Sequence, residues 1–186
     1  PEGFEEGINR GMYLFRKPET GKARIQLMGS GSILRKIIEA ADILEEDYNL
    51  RANIWSILGV NQLHKDGLIC EDWNRSHPDK PKKNSYVQEL LQDADGPAII
   101  STDHLTAHSE RIRSLIPNPV TILGTDGFGR SDSRQVLRHF FKVDRHHVVI
   151  AALKSLADEG VVEIDVVTSA IKKYGINPED PHPITR

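Results

Sequence analysis

Apolar and polar positions fall into alternating blocks along the chain, short β-like runs giving way to stripes with a helical period. Arg24-Ile25-Gln26-Leu27-Met28, bounded by Gly21 and Gly29, predicts a first strand. From Ser32 the period changes. Ile33, Leu34, Ile37, Ile38, Ala41 and Leu44 share one stripe, and Glu39, Asp42, Glu45 and Glu46 lie opposite it. Ser32 is placed to cap that helix, its hydroxyl accepting a first-turn N–H. Ile54–Leu58, Ala98–Ser101 and Val120–Leu123 predict three further strands. Between the first two of these lies a polar stretch, 61–85, in which Pro78 and Pro81 break any long helix, then a short helix over Tyr86–Leu91. Leu105–Leu115 reads as a helix, with Pro117 and Pro119 marking the turn into the fourth strand.

The last third is helical in pattern. Asp144 is placed to cap a helix running to about Glu159, with Gly160 just past its end. A final helix runs from about Asp165 to Tyr174. Lys172 and Lys173 complement its dipole, and Gly175 supplies the left-handed turn that folds Ile176 back onto Ile171. Three prolines after Asn177 predict an extended tail. Strands separated by helices predict a three-layer α/β/α domain with a mostly parallel sheet. Residues 21–186 form that domain in this reading, and residues 1–20 are a linker or the end of a preceding unit.

Composition narrows the function. The 186 residues suffice for one domain with a real core, and 38% hydrophobic with 27% charged is a globular proportion. Lys+Arg is 24 against Asp+Glu 27, a net charge of -3, which argues against a bulk nucleic-acid binder. The longest apolar run, Val148–Leu153, is far short of a membrane span. One cysteine, Cys70, excludes an internal disulfide and a multi-thiolate zinc site, and makes a reducing cytosol the simplest compartment. The start at Pro1, without Met or a signal core, is expected of a processed chain or a piece of something longer.

Several motifs carry candidate chemistry. Gly29-Ser30-Gly31-Ser32 sits where an α/β fold binds phosphate, but the dinucleotide fingerprint needs a third glycine where this chain has Leu34, and a P-loop lysine is lacking. A tight strand-to-helix turn is the simpler reading. His104 and His108 share a helical face without a third ligand placed by sequence, so no metal site is expected. Cys70 lacks a neighbouring base and reads as a lone, partly buried thiol. Arg130 to His147 is locally basic, containing Arg134, Arg138, His139, Lys142, Arg145 and His146. It is a solvated helical face by default, or a docking surface for an acidic partner or another subunit. The most unusual segment is Gly124–Asp132, with three glycines around Phe128. Phe128 either plugs a packing gap while Ser131 to Ser133 cap the next helix, or the loop is an interface or ligand loop at the carboxyl edge of the sheet.

Gly124-Thr125-Asp126-Gly127-Phe128-Gly129-Arg130-Ser131-Asp132-Ser133-Arg134, followed by Leu137-Arg138-His139-Phe140-Phe141-Lys142-Val143-Asp144, resembles the last domain of bacterial homodimeric pyruvate dehydrogenase, the decarboxylating first component of its complex. Leu27-Met28-Gly29-Ser30-Gly31-Ser32, Asp66-Gly67, Cys70-Glu71, Trp73-Asn74 and His77-Pro78 agree in order, as do Ser101-Thr102-Asp103 and the Val148–Leu153 helix. The Gly-Ser-Gly-Ser turn and the Phe-Gly-x-Ser signature are shared more widely with transketolase-like C-terminal domains.

The resemblance implies a fragment lacking the domains that hold thiamine diphosphate, its Mg²⁺ and the catalytic residues. No catalytic, cofactor-binding or metal residue is carried onto any position, and no cofactor is expected on this chain. Asp126, Phe128, Arg130, Ser131, Asp132 and Arg134 are expected to form an interface or structural loop. The parent is implied to be a cytoplasmic homodimer that decarboxylates pyruvate and passes the acetyl unit to the lipoyl arm of the dihydrolipoyl acetyltransferase core, with no nucleic-acid or membrane partner. This domain is implied to support its dimer and fold. The stretches 79–84 and 105–108 depart from the family's forms, which touches partner contacts rather than fold. The alternative is a free-standing α/β domain that binds an anionic or nucleotide ligand through 29–32 and 124–132.

Overall fold

A computed structural model describes residues 3–185 of the chain. The chain opens with α1 (Glu5–Arg10), β1 (Met12–Arg16), β2 (Ile25–Ser30), α2 (Leu34–Tyr48), β3 (Ala52–Ile57), α3 (Val60–Ser76) and α4 (Tyr86–Leu91). It continues with β4 (Ala98–Ser101), α5 (Thr106–Glu110), β5 (Val120–Leu123), α6 (Arg134–Phe140), α7 (Arg145–Asp158) and α8 (Ile164–Lys173). The strands form one five-stranded sheet in the order β1-β3-β2-β4-β5. β1 is antiparallel to β3, and every other neighbouring pair is parallel.

The sheet separates two cores because side chains alternate across a pleated strand. Ile25, Leu27, Ile54 and Ile99 pack against α2, α7 and α8. Met28, Trp55, Ile57 and Ile100 face the other layer, with Val60 and Leu63 of α3, Val87 and Leu91 of α4, and Leu115. This is the predicted three-layer α/β/α arrangement. The central strands are apolar on both faces, as a parallel sheet covered by helices requires.

A polar side chain sits among the apolar ones of the second core. Gln26 is fully buried on β2. Its amide oxygen accepts from Asn53 Nδ2 (3.1 Å) and Trp55 Nε1 (2.9 Å) of β3, and its Nε2 donates to the Asp95 carbonyl (2.7 Å) in the approach to β4.

The structure departs from the sequence reading at several elements. Residues 5–16, read there as part of a linker or the end of a preceding unit, form α1 and the edge strand β1, which pairs Met12 with Ile57 and Leu14 with Trp55. α3 runs unbroken to Ser76, because Pro78 and Pro81 lie beyond its end rather than within it. Its buried positions are Val60, Leu63 and Gly67. A Cβ on Gly67 would lie 2.5 Å from Leu115 Cδ2, so glycine here is a packing position that masks the apolar stripe. The helix expected over 105–115 is α5 followed by a single 3₁₀ turn at Arg113–Leu115. The tail ends in a 3₁₀ turn, Pro183–Thr185, instead of remaining extended throughout. At the end of α8 the predicted stop is realised: Gly175 has φ +64, and Ile176 N–H donates to the Ile171 carbonyl at 3.1 Å.

Replacing Gln26 with Leu would leave the buried Trp55 indole N–H without its acceptor. Gln26→Leu is expected to cost about 1–3 kcal/mol of unfolding free energy in chemical denaturation, the penalty of an unsatisfied buried donor. An unchanged midpoint would show that this amide contributes nothing.

Candidate functional site

The strand order reverses between β2 and β4. The chain leaves β2 toward β3 on one side and leaves β4 toward β5 on the other. The loops after these two strands therefore diverge and open a crevice at their carboxyl ends, the place where α/β sheets bind ligands. Ser30 and Thr102 bridge it through a 2.7 Å hydrogen bond between their hydroxyls.

The β2 loop then turns sharply as a 3₁₀ turn, Gly31–Ile33, ahead of α2. Gly29 permits this, since a Cβ there would lie 2.9 Å from the Leu34 Cα and 2.8 Å from Ile37 Cγ1. Ser32 does not cap the helix as predicted, because it lies inside the 3₁₀ turn and its hydroxyl is drawn across the crevice. It donates to Asp103 Oδ2 (3.2 Å) and accepts from Arg138 Nη2 (3.0 Å), which also reaches the Ser32 carbonyl (3.4 Å).

The loop from Gly124 to Ser133 covers one side of this crevice, pinned where it begins. Thr125 N–H donates to the His104 carbonyl (2.9 Å) and its hydroxyl to the Asp103 carbonyl (2.9 Å). Asp126 accepts from both the N–H (3.0 Å) and the hydroxyl (2.8 Å) of Thr106, satisfying the first turn of α5. Further along, the loop projects outward. Phe128 is 81% exposed and plugs no packing gap. The Arg130 guanidinium lies 4.3 Å from the centroid of the Phe140 ring. Asp132 Oδ1 accepts the Ser133 N–H at 2.6 Å, and Ser133 rather than Ser131 caps α6 through the Val136 N–H.

A cleft of about 520 Å³ opens here, lined by Arg130, Arg134 and Arg138, by the apolar Ile33, Phe141 and Val143, and by the single carboxylate of Asp103. The structure thus brings Arg130 and Arg134 together with Ser32 and Arg138. Asp126, Phe128, Ser131 and Asp132 lie outside its lining.

Within the basic stretch, Asp144 organises its neighbours. Oδ1 accepts from the backbone N–H groups of His146 (2.9 Å) and His147 (3.0 Å) and from His147 Nδ1 (3.0 Å), and Oδ2 contacts His139 Nδ1 (2.9 Å). Burial alone would raise the Asp144 pKa. The hydrogen bonds and charge of His147, joined by His139, outweigh it and hold the carboxyl well below the usual range. The ligand-capable atoms of His139, Asp144 and His147 all lie within 4.8 Å of one another, the group among the described residues able to hold a metal. Its carboxylate is, however, already engaged as the cap of α7. His104 and His108, the pair weighed from sequence, have ring centroids 5.0 Å apart and belong to no such group among the described residues. Cys70 is half-buried, and burial, with Asp66 and Glu89, pushes its thiol pKa up, the opposite of an activated nucleophile.

Sequence reasoning missed two of these connections. The Ser32–Asp103 and Ser32–Arg138 contacts join residues 71 and 106 positions apart, so no local pattern marks them. The Asp144–His147 contact did have a signal, a helix cap followed three residues later by a side chain able to reach back to it.

These features define a doubly wound α/β domain with an open crevice at the carboxyl ends of its parallel strands. Comparison with known proteins specifies it further. Residues 11–144 match the Transketolase-like TK C-terminal domain, and the chain belongs to that family. It is 51% identical over 186 residues to the pyruvate dehydrogenase E1 component of Pseudomonas aeruginosa, covering 99% of this chain and 21% of that protein. Against the Cupriavidus necator protein of the same name, identity is 46% over 187 residues, covering 100% of this chain and 21% of the relative. The chain therefore spans about a fifth of the length of these relatives. The transketolase of Leishmania mexicana shares the fold, with a TM-score of 0.55, 21% identity, and coverage of 82% of this chain and 19% of that one. The resemblance read from the Gly124–Asp144 stretch and the motifs before it is borne out.

Asp144→Ala is expected to remove about 1–2 kcal/mol of stability through loss of the α7 cap. The acid sensitivity follows from the depressed folded-state pKa. Its stabilisation is complete above the ordinary aspartate value of 3.8 and is lost as pH falls through the lower folded value. Asp144→Asn should flatten that part of the stability curve, measured by urea unfolding between about pH 5 and about pH 1. Equal acid sensitivity in both proteins would exclude Asp144 as its source.

Proposed function

We propose that the chain is the C-terminal, non-catalytic domain of a pyruvate dehydrogenase E1 component. The observation that carries this is identity of 51% sustained across 99% of the chain to a protein of that name. The parent enzyme decarboxylates pyruvate with thiamine diphosphate and Mg²⁺ and acetylates the lipoyl group of a dihydrolipoyl acetyltransferase core. It works as a cytoplasmic homodimer. Among the described residues no helix is long and apolar enough to cross a membrane. In this reading residues 1–20 lead in from a preceding domain, with Met12–Arg16 also serving as the edge strand.

The residues present here do not fit the cofactor. A diphosphate held through Mg²⁺ needs several converging oxygen ligands. The crevice offers one carboxylate, Asp103, already accepting from Ser32, and Asp144 is engaged by two imidazoles and two backbone N–H groups. The chemistry therefore belongs to other parts of the parent, and this domain contributes a rigid scaffold and a projecting loop. Asp126 and Thr125 fix the base of that loop, and Phe128, Ser131 and Asp132 are exposed on it for contact with another domain or subunit, while Arg130 and Arg134 lie beside them in the cleft lining.

Titration of the chain with thiamine diphosphate is expected to show no Mg²⁺-dependent binding, and the chain should not turn over pyruvate. Tight, Mg²⁺-dependent one-to-one binding in calorimetry would overturn the reading. Phe128→Ala should leave the stability of the chain within about 0.5 kcal/mol, as for an exposed site. In the full-length enzyme the same change should weaken subunit or domain association, measured by sedimentation. An association constant unchanged by Phe128→Ala would remove the loop from any interface.

A further inference from the structure

We propose that the crevice between β2 and β4, with Ser32 on one wall and Arg130, Arg134 and Arg138 on the other, binds a small organic phosphate. Position is the first argument. The crevice lies at the strand-order reversal of a parallel sheet, where diverging loops leave room for a ligand. Charge is the second. Three arginines line the cleft against one carboxylate, Asp103.

Their hydrogen-bonding capacity is the third argument. Arg134 has no protein partner among the described residues. Among the described residues Arg130 is held only by its stacking on Phe140, at 4.3 Å, which leaves its N–H edge unused by them. Arg138 uses Nη2 on Ser32 and keeps its remaining donors unengaged by the described residues. Guanidinium groups with unused donors recognise phosphate oxygens in bidentate fashion. The neighbouring cleft makes the contrast, since its Lys36 and Arg145 both pair with Glu39 (2.7 and 3.1 Å).

The ligand's carbon skeleton follows from the rest of the lining. Ile33, Phe141 and Val143 give the cleft an apolar portion, and about 520 Å³ exceeds what a bare oxyanion fills. With one carboxylate present, the site binds the phosphate directly instead of through Mg²⁺.

The test uses the 186-residue chain and calorimetric titration at low ionic strength with two probes, pyrophosphate and ADP, without Mg²⁺. Saturable one-to-one binding is expected, tighter for ADP and weakened by salt. Arg134→Gln, at an exposed residue without a partner among the described residues, should weaken both probes about tenfold with an unchanged unfolding midpoint. Arg138→Gln should do the same. Lys82→Gln, outside the cleft, should change neither. The proposal is overturned by absence of saturation with either probe, by binding that survives both arginine substitutions, or by ADP binding no more tightly than pyrophosphate. Because the titrations omit Mg²⁺, their failure leaves the C-terminal-domain reading standing, and Mg²⁺-dependent cofactor binding would overturn that reading alone.

Discussion

The register of β2 is the constraint on which the rest depends. Every parallel pairing in the sheet runs through it or through its neighbour β4, and Leu27 stands level with both Ile54 and Ile99. Hydrophobic pattern alone enforces register weakly in a strand buried on both faces, because a slip of one residue exchanges one apolar side chain for another. Gln26 removes that degeneracy. Its amide can be satisfied in one alignment, with Asn53 and Trp55 on one side and the Asp95 carbonyl on the other. A slipped strand would bury it unsatisfied. A single polar residue thus specifies which carboxyl-end loops meet, and the meeting of those loops is what makes the crevice.

From that register the edge assembles in order of decreasing burial. Ser30 and Thr102 close over the ends of β2 and β4, and Thr102 is buried. Asp103 and Ser32 come next, at the surface, and tie the two loops together. The outermost part, 127–136, is exposed throughout. Order there comes from local polar contacts such as the Ser133 cap and from the Arg130–Phe140 stack. The division suits a domain whose interior must be invariant and whose edge meets something else.

Much of the fold was legible because strong local rules govern it. Ala98–Ser101, Val120–Leu123 and the Tyr86–Leu91 helix are observed with the predicted bounds, each bracketed by turn-forming residues. The Asp144 cap and the Gly175 stop are backbone-satisfaction signals that need no tertiary context. What failed needed such context. β1 is a strand because β3 offers an unpaired edge, and nothing in Met12–Arg16 announces that. α3 was obscured by Gly67, whose role is to admit the Leu115 side chain from another segment. At the site, sequence singled out Arg130, Arg134 and the 29–32 turn separately. Their convergence with Arg138 rests on Ser32 contacts spanning 106 residues, which local pattern cannot carry.

The placement of α6 shows how polar contacts substitute for burial at this edge. The helix has no buried residue, so apolar packing alone fixes neither its position nor its direction. Its C-terminal half is instead held at two points. Arg138 reaches forward to Ser32, and His139 reaches back to Asp144. Asp144 is in turn the cap of α7, whose Val148, Val149, Ala152, Leu153 and Leu156 are all fully buried. Through that carboxylate a seven-residue helix without a buried residue is referenced to one of the most deeply anchored elements of the fold. Elements held this way open locally at low cost, since their release exposes little apolar surface. Arg134 and Arg138, both on this helix, therefore sit on a part of the molecule that is defined in position yet separable from the core, tied to it through the His139–Asp144 contact.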